Sequence, residues 1–400
     1  MAIQPSKLII AFFAIILIWL IGWAMDFATR SVVTASPDAP AAVTELDIYL
    51  TEPDTVEVFV DLNAENGGRT GVFHVLWHFA AARFHALLIA VSELNIQAAK
   101  SNIDQYLRSI AWAFRCHPFY IIVFVLLKLA VIAVAGGAIC RISALQFARG
   151  EKPGLIEAVG FALKRFRHFY FAPIFPLAVI IAFAIIFFLI PGLLANIPKV
   201  GELILAICVP FLMLIGAVIA IIIIGLTAGF ALMFPAIAYS GLEFFDAISH
   251  AFSYIYSKPW RMILYSLLAA IYGAACYIFV RFFAFLILIS THTLLASFIW
   301  TETADGLSKL SAIWPEPTFM NLANPAALTP SGLTQSIAAF LISLAVLVII
   351  GLLVSFVISF YFSANTIIYA LMRNKVDQTP FDDVYTGFNE TSTKYIPTAF

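Results

Sequence analysis

One lysine, Lys128, lies near the middle of an apolar run from Phe119 to Cys140. It follows Phe119 by about nine residues, or roughly 14 Å of helix, which places it close to the middle of a lipid bilayer. A charge at that depth costs at least about 2.5 kcal/mol, so the side chain should face protein or water and have a partner. None of the six apolar runs predicted below to span the membrane contains an acidic residue. The partner is therefore predicted to be a backbone carbonyl, an anion, a lipid phosphate, or one of Ser355, Ser359 and Tyr272. A neutral or snorkelling lysine is the alternative.

Six more cations follow that run within a short segment. They are Arg141, Arg149, Lys152, Lys164, Arg165 and Arg167. Near a membrane surface each such cation attracts anionic lipid by about 1 kcal/mol. Together with Lys128 they are predicted as contacts for lipid headgroups or other anions. The alternative is that the cluster only sets the orientation of the chain in the membrane.

Three histidines, His74, His78 and His85, are spaced i, i+4 and i+11, which places them on one face of a helix. This spacing permits a pair of ligands for a metal or haem. No nearby cysteine or acid completes the set, so the favoured interpretation is polar decoration of an interfacial helix, and neither a metal nor a cofactor is predicted. Asp61-x-Asn63-x-Glu65 resembles the opening of a calcium loop, but its glycine is displaced and Val72 stands at the position of the bidentate glutamate.

The motifs of enzymes are absent from the sequence: it contains no H-E-x-x-H, no G-x-S-x-G, no phosphate-binding G-x-x-x-x-G-K-[ST], and no pair of intramembrane carboxylates. The four cysteines stand singly, without the spacing of a zinc site or a disulfide framework. The chain is therefore predicted not to be an enzyme.

Composition determines which elements must hold these residues. Of the 400 residues 62% are hydrophobic and 11% are charged, and the net charge is −1. Such a composition is typical of a membrane protein and offers no basic surface for nucleic acid. We predict an all-α fold, a polytopic transmembrane bundle of about six spans with interfacial amphipathic helices. Membrane lipids are the expected partners, with other membrane proteins as a further option.

Six apolar runs have the length of a membrane span. They are Leu8–Met25, Phe119–Cys140, Phe169–Ile190, Leu203–Pro235, Trp260–Ser290 and Ser336–Met372. The positive-inside rule places the segment Arg141–Arg167 in the cytoplasm, and alternation then places both termini there. The first run is predicted to be an uncleaved anchor, with a signal peptide cleaved after Val33-Thr34-Ala35 as the alternative.

A seventh run, Val72 to Leu94, competes for a place in this topology. Counting it as a span would move the basic segment outside and put Arg83 and three histidines into hydrocarbon. The region Val72 to Arg115 is therefore predicted to be an amphipathic helix on the outer membrane surface.

The remaining organisation follows from these spans. Residues 1–30 form the anchor, and residues 31–117 an exported acidic segment with the interfacial helix. Alternating apolar residues from Thr55 to Leu62 predict a strand within the acidic segment. Residues 118–150 hold the second span and the start of the basic segment, residues 151–240 a first repeat unit, residues 241–373 a second repeat unit, and residues 374–400 a cytoplasmic tail.

The repeat units rest on an apolar pattern that recurs after 89 positions. Leu155, Ile156, Val159, Leu163 and Phe166 correspond to Phe244, Phe245, Ile248, Phe252 and Ile255. Their spacing describes one face of a short amphipathic helix ahead of an outward span. Two such units with the same orientation predict a parallel internal repeat. The alternative is chance similarity between two interfacial helices.

Gly225-Leu226-Thr227-Ala228-Gly229 in the fourth run is a small-x-x-x-small pattern. Gly225 and Gly229 are predicted to form a helix-packing surface rather than a site.

Several short passages of the chain resemble one group of proteins. They are Gly136-Gly137-Ala138-Ile139-Cys140-Arg141, Ala144-Leu145-Gln146-Phe147-Ala148-Arg149, Phe245-Asp246-Ala247 and Lys258-Pro259-Trp260-Arg261. Over about residues 115–290 the chain resembles a family of uncharacterised multi-span bacterial membrane proteins of unknown function. The resemblance implies a bacterial inner membrane and the six-span layout, and it implies no activity.

Three hypotheses for function result. The favoured one is a non-enzymatic membrane protein that organises a membrane assembly or its lipids. The second is a transporter or channel for a small or lipidic substrate, with Lys128 lining the path. The third is a protein that handles metal or haem at the outer surface through the three histidines.

Overall fold

The structure is a computed structural model that describes residues 3–35, 43–64, 67–93, 95–198, 200–301, 308–323 and 332–386. Within these ranges the chain is mainly α-helical, as predicted. In chain order the elements are α1 (Pro5–Thr29), β1 (Val32–Thr34), α2 (Glu45–Thr51), α3 (Val56–Leu62), β2 (Gly68–Thr70), α4 (Val72–Ser92), α5 (Ile96–Cys116), α6 (Pro118–Arg149), α7 (Leu155–Lys164), α8 (Phe166–Phe183), α9 (Leu189–Ala195), α10 (Gly201–Ser240), α11 (Phe244–Ser257), α12 (Pro259–Ala296), α13 (Lys309–Ile313) and α14 (Leu333–Val376).

Among the described residues, seven helical segments are long and apolar enough to cross a membrane: α1, α4, α6, α8 with α9, α10, α12 and α14. The most apolar windows of α8–α9 and of α10 bury none of their residues, which is the pattern of helices solvated by lipid. The chain is therefore a multi-pass integral membrane protein. Six of these segments coincide with the predicted spans, and the seventh is the run that the charge argument had excluded.

That seventh segment, α4, is one continuous helix of 21 residues. The guanidinium of Arg83 lies 4.8 Å from the ring centroid of Phe79, and its Nη1 donates to Asn102 of α5 at 3.5 Å. The charged side chain that counted against a span is thus covered by an aromatic ring and a polar partner. The placement of α4 on the outer membrane surface stays a prediction, because the helix is also long and apolar enough to cross a membrane.

The predicted strand over Thr55 to Leu62 is wrong. Pro53–Thr55 forms a 3₁₀ turn, and α3 follows it directly. Among the alternating apolar residues Val56 is buried, whereas Val58 and Leu62 are exposed. A strand there would have had to bury one whole face and pair its backbone with a neighbour, whereas a helix satisfies its hydrogen bonds within the segment. Glu65 of the calcium-like loop lies outside the described residues.

The chain divides into two compact units, and each has its own core. The first unit comprises residues 1–11, 132–277 and 355–400. Its core is built around the last third of α10, from Leu232 to Tyr239, which packs with α8, α11 and the end of α14. Gly225 and Gly229 of α10 face Phe252 and Ile255 of α11, so side chains at either glycine would press into those residues.

The second unit comprises residues 12–131 and 278–354. Its core joins Val32, Leu46, Phe73, Trp112 and Phe124. In a two-stranded sheet β1 pairs antiparallel with β2, with Val33 opposite Arg69.

Asp26, in the last turn of α1, accepts three hydrogen bonds within the second unit. It accepts from the backbone N–H groups of Phe73 and His74 at 3.0 and 2.7 Å, and from the Tyr120 hydroxyl at 2.6 Å. A carboxylate at the first turn of a helix satisfies N–H groups that have no partner inside the helix. Asp26 therefore fixes the start of α4 against α1 and α6.

The two helices of the predicted repeat, α7 and α11, bury alanines at equivalent positions. Ala158 and Ala162 are fully buried, as are Ala247 and Ala251, which occupy the positions 89 residues later. The equivalent Ile156 and Phe245 are both exposed. Duplication itself stays a prediction, and the shared pattern is a further observation in its favour.

Candidate functional site

A cavity of about 650 Å³ opens in the first unit, where several helix ends meet. Its walls come from the end of α6, from α7, from the start of α8, from the turn between α10 and α11, and from the segment after α14. The lining residues are Arg141, Pro153, Glu157, Ala158, Gly160, Phe161, Lys164, Arg165, His168, Gly241, Glu243 and Tyr385.

The end of α10 forms one wall of this cavity. Helix α10 stops at Gly241, whose φ of +66° is the left-handed conformation that glycine adopts without strain. A side chain at this position would also collide with the ring of Tyr385. The carbonyl groups of Ala238 and Gly241 accept hydrogen bonds from arginines that line the cavity. The C-terminal end of a helix carries the negative end of its dipole and attracts cations.

Arg141 is the most buried cation of the cavity. It lies eight residues before the end of α6, and its side chain is 9% exposed. Its Nη1 donates to the carbonyl oxygens of Ala238 and Tyr385 at 3.2 and 2.7 Å, and its Cζ lies 4.6 Å from the ring centroid of Phe161. The guanidinium therefore joins α6, α7, α10 and the C-terminal segment.

Arg165 reaches the same helix end from the junction of α7 and α8. Its Nη1 donates to the carbonyl oxygen of Gly241 at 2.7 Å. Its Cζ lies 4.5 Å from the ring centroid of Tyr385 and 5.8 Å from that of Phe161. The two arginines thus cover the faces of the two aromatic rings that line the cavity.

Neither arginine uses all of its donors. A guanidinium carries five N–H groups on three nitrogens. In both residues the hydrogen bonds to other described residues come from Nη1 alone. No described residue accepts a hydrogen bond from the Nε or Nη2 donors of Arg141 and Arg165.

Helix α7 contributes both signs of charge to the cavity. Glu157, Phe161 and Lys164 are spaced i, i+4 and i+7, so they share one face of the helix. Glu157 and Lys164 are exposed, and neither makes a hydrogen bond or an ion pair with another described residue. Glu243 is the N-cap residue at the start of α11, and its side chain makes no capping hydrogen bond to that helix.

His168 is held in place by the backbone. Its Nδ1 accepts the N–H of Phe244 at 3.3 Å, and its ring stacks on the Phe244 ring with centroids 6.5 Å apart. This hydrogen bond requires Nδ1 to be unprotonated, so the neutral tautomer carries its proton on Nε2.

The cavity contains three of the seven cations predicted to contact lipid or other anions, namely Arg141, Lys164 and Arg165. The other three cations of the basic segment are exposed outside it. Arg149 lies 4.0 Å from Glu151, and Lys152 and Arg167 extend into solvent.

Lys128 lies in the second unit, on an exposed part of α6. The three residues before it, Val125, Leu126 and Leu127, are also exposed. Within the described ranges Lys128 makes no hydrogen bond and no ion pair, so the predicted protein partners are not seen there. A lysine on such a surface can extend its ammonium group along the helix towards the headgroups, which is the snorkelling alternative.

The three histidines do not converge on one point. The rings of His74 and His78 have centroids 4.3 Å apart and planes tilted by 58°. His85 lies seven residues beyond His78, or about 10 Å along the helix. Among the described residues no group of three or more histidine, cysteine or acidic side chains is arranged to hold a metal ion.

Sequence reasoning missed Phe161, Tyr385, Gly241 and Glu243 as parts of the cavity. For Gly241 a signal existed, because a glycine after a long apolar helix is a common helix end. For Tyr385 no local signal exists, since its place depends on a return of the chain to α10 more than a hundred residues later. The Tyr385 N–H donates to the Tyr239 carbonyl at 2.9 Å.

Comparison with models of protein families, with curated proteins and with solved structures gave no match to this chain.

Proposed function

We propose that this chain is a non-enzymatic protein of the bacterial inner membrane that binds and organises membrane lipids. The cavity of Arg141, Lys164 and Arg165 takes the phosphate of the headgroup. The observation that carries the proposal is the pair of arginines at the end of α10, each of which retains guanidinium donors that no described residue uses.

The chemistry of these groups suits a phosphate. Guanidinium groups bind phosphate through two parallel N–H bonds, and charge-assisted bonds of this kind are the strong ones in proteins. The cation–π contacts with Phe161 and Tyr385 fix the planes of both guanidinium groups, so little conformational freedom is lost on binding. Lys164 adds a mobile charge at the rim.

The location of the cavity supports a lipid as the source of the phosphate. It lies at the ends of three apolar helices, α6, α8 and α10, where headgroups meet a transmembrane protein. The basic segment around it favours the cytoplasmic side, whose leaflet carries anionic lipid. On this reading both termini are cytoplasmic.

The test is retention of lipid by protein purified in mild detergent. Replacing Lys164 and Arg165 by glutamine should remove most of the co-purifying phospholipid, measured by native mass spectrometry. The matched control is Arg149→Gln with Lys152→Gln, which removes the same charge from exposed positions outside the cavity. Equal lipid retention by the two double variants would contradict the proposal.

No observation on the described residues favours the other two hypotheses. The transport hypothesis needs Lys128 beside a water-filled path, and its turn of α6 has the exposure of a lipid-facing surface. The metal hypothesis needs a third ligand beside His74 and His78, and the described residues supply none.

A further inference from the structure

The cavity also contains two carboxylates, and neither forms a close ion pair with its cations, although the charge of Glu157 acts on Arg141 at longer range. Glu157 and Glu243 line the same space as Arg141, Lys164 and Arg165. Both are exposed, and within the described part of the chain neither carboxylate lies within 4.0 Å of a cationic nitrogen. Acidic groups beside three cations would ordinarily form ion pairs with them. Here they are left accessible to a ligand.

The charges of the cavity nearly cancel. The three cations and two carboxylates sum to +3 − 2 = +1, with His168 neutral. The C-terminal end of α10 adds about −0.5 of an elementary charge. The cavity therefore carries little net positive charge, and its net charge alone would not attract anions strongly. Its regions of opposite charge fit a ligand that itself carries both signs.

The contacts of the two aromatic rings indicate which kind of cationic group on a ligand the cavity can bind. A quaternary ammonium is bound by open aromatic rings, because it has no N–H to donate. Here Arg141 covers Phe161 and Arg165 covers Tyr385, at 4.6 and 4.5 Å. The groups left for a ligand cation are carboxylates, which accept hydrogen bonds from a primary ammonium.

We infer that the occupant is a phospholipid with a primary ammonium group on its phosphate, of the phosphoethanolamine class. Its phosphate binds the arginines and Lys164, and its ammonium binds Glu157 and Glu243. This inference rests on the proposed function, because it assigns the headgroup for the same cavity.

The experiment compares three lipids with identical acyl chains, so that only the headgroup differs. Phosphatidylethanolamine, phosphatidylcholine and phosphatidylglycerol are added in equal amounts to the purified full chain, and bound lipid is counted by native mass spectrometry. The wild type should prefer phosphatidylethanolamine by about twofold to fivefold, the range of equilibrium ratios that exposed charge pairs give. The Glu157→Gln, Glu243→Gln double variant should lose this preference and still bind phosphatidylglycerol.

The control is Glu151→Gln, which removes a carboxylate outside the cavity and should leave the preference unchanged. If the wild type binds the three lipids equally, or if the double variant keeps the preference, the headgroup assignment is wrong while the phosphate site stands. If the Lys164→Gln, Arg165→Gln variant binds all three lipids as the wild type does, the proposed function fails as well. Tighter binding of water-soluble O-phosphoethanolamine than of the lipid would overturn the lipid as the occupant.

Discussion

Two buried ionic centres show how the surroundings of single residues set their roles. Arg141 in the first unit bonds to two carbonyl oxygens through Nη1, and no described residue uses its other donors. Glu45 in the second unit is instead satisfied by the protein. It is 3% exposed, accepts from the Trp112 indole at 3.2 Å, and lies 3.5 Å from Nε2 of His117. The first arrangement suits binding, and the second stabilises the fold.

The Glu45 centre makes the stability of the second unit depend on pH. Burial by itself raises the pKa of this carboxyl, but its contact with the His117 ring and the hydrogen bond from Trp112 outweigh burial and hold the pKa below its ordinary value of 4.5. The unfolded chain therefore binds the proton more readily than the folded chain. The stabilisation is present above pH 4.5 and is lost as the pH falls below that value.

We expect Glu45→Gln to lower the free energy of unfolding by about 1.5–3 kcal/mol at pH 7, the value of a hydrogen bond to a charged group. The deficit should shrink as the pH falls towards 3.5, because the wild type then loses the same interaction. Thermal unfolding in detergent at several pH values measures both. A difference between the two proteins that does not change with pH would count against this role for Glu45.

At the scale of the elements, two helix ends with the same backbone geometry serve different purposes. Helix α6 ends at Gly150 with φ +71°, and α10 ends at Gly241 with φ +66°. A side chain at Gly150 would meet nothing within 4 Å, whereas one at Gly241 would collide with the ring of Tyr385. The end of α10 thus packs against Tyr385, which lines the cavity from the segment after α14.

We expect Gly150→Ala to cost only the strain of a left-handed alanine, about 1 kcal/mol. Gly241→Ala should cost more, because it adds displacement of Tyr385, and it should also weaken lipid binding. Thermal stability and lipid retention of the two variants give the comparison. If they behave alike in both measurements, the contact between Tyr385 and Gly241 does not shape the cavity.

At the scale of the whole molecule, the side of the membrane on which the basic segment lies depends on whether α4 is a span. With six spans, the joint between α4 and α5 lies outside and the link between α6 and α7 lies inside. If α4 crosses the membrane, the two positions exchange sides. The side chain of Arg83, covered by Phe79 and bonded to Asn102, makes that second arrangement physically accessible.

We predict that the basic segment is cytoplasmic, because six cations so close to membrane spans resist export. In a variant without its native cysteines, Asn95→Cys should react with a membrane-impermeant maleimide applied to intact cells, and Glu151→Cys should be protected. Lysed cells provide the control in which both positions react. The reverse pattern in intact cells would contradict the cytoplasmic assignment and would show that the cavity faces outwards.

The sequence alone was enough to identify an all-α membrane protein, because an apolar run of sufficient length has to satisfy its backbone as a helix wherever it lies. It also indicated Arg141, Lys164 and Arg165 as contacts for anions, although it did not distinguish them from Arg149, Lys152 and Arg167. Local pattern failed over residues 55–62, where alternation predicts a strand and the chain forms α3. Alternation specifies a strand only where a partner and a buried face exist.

Only the tertiary structure decided which of the cations share a site. Arg141 and Arg165 meet because both bond to the end of α10, about 97 and 76 positions away along the chain. Tyr385 joins them from the far end of the sequence. Hydropathy and charge are properties of neighbouring residues, whereas the donors of a cavity are positioned by hydrogen bonds between distant ones. The class of the protein can therefore be derived from its sequence, and the candidate binding site depends on the fold.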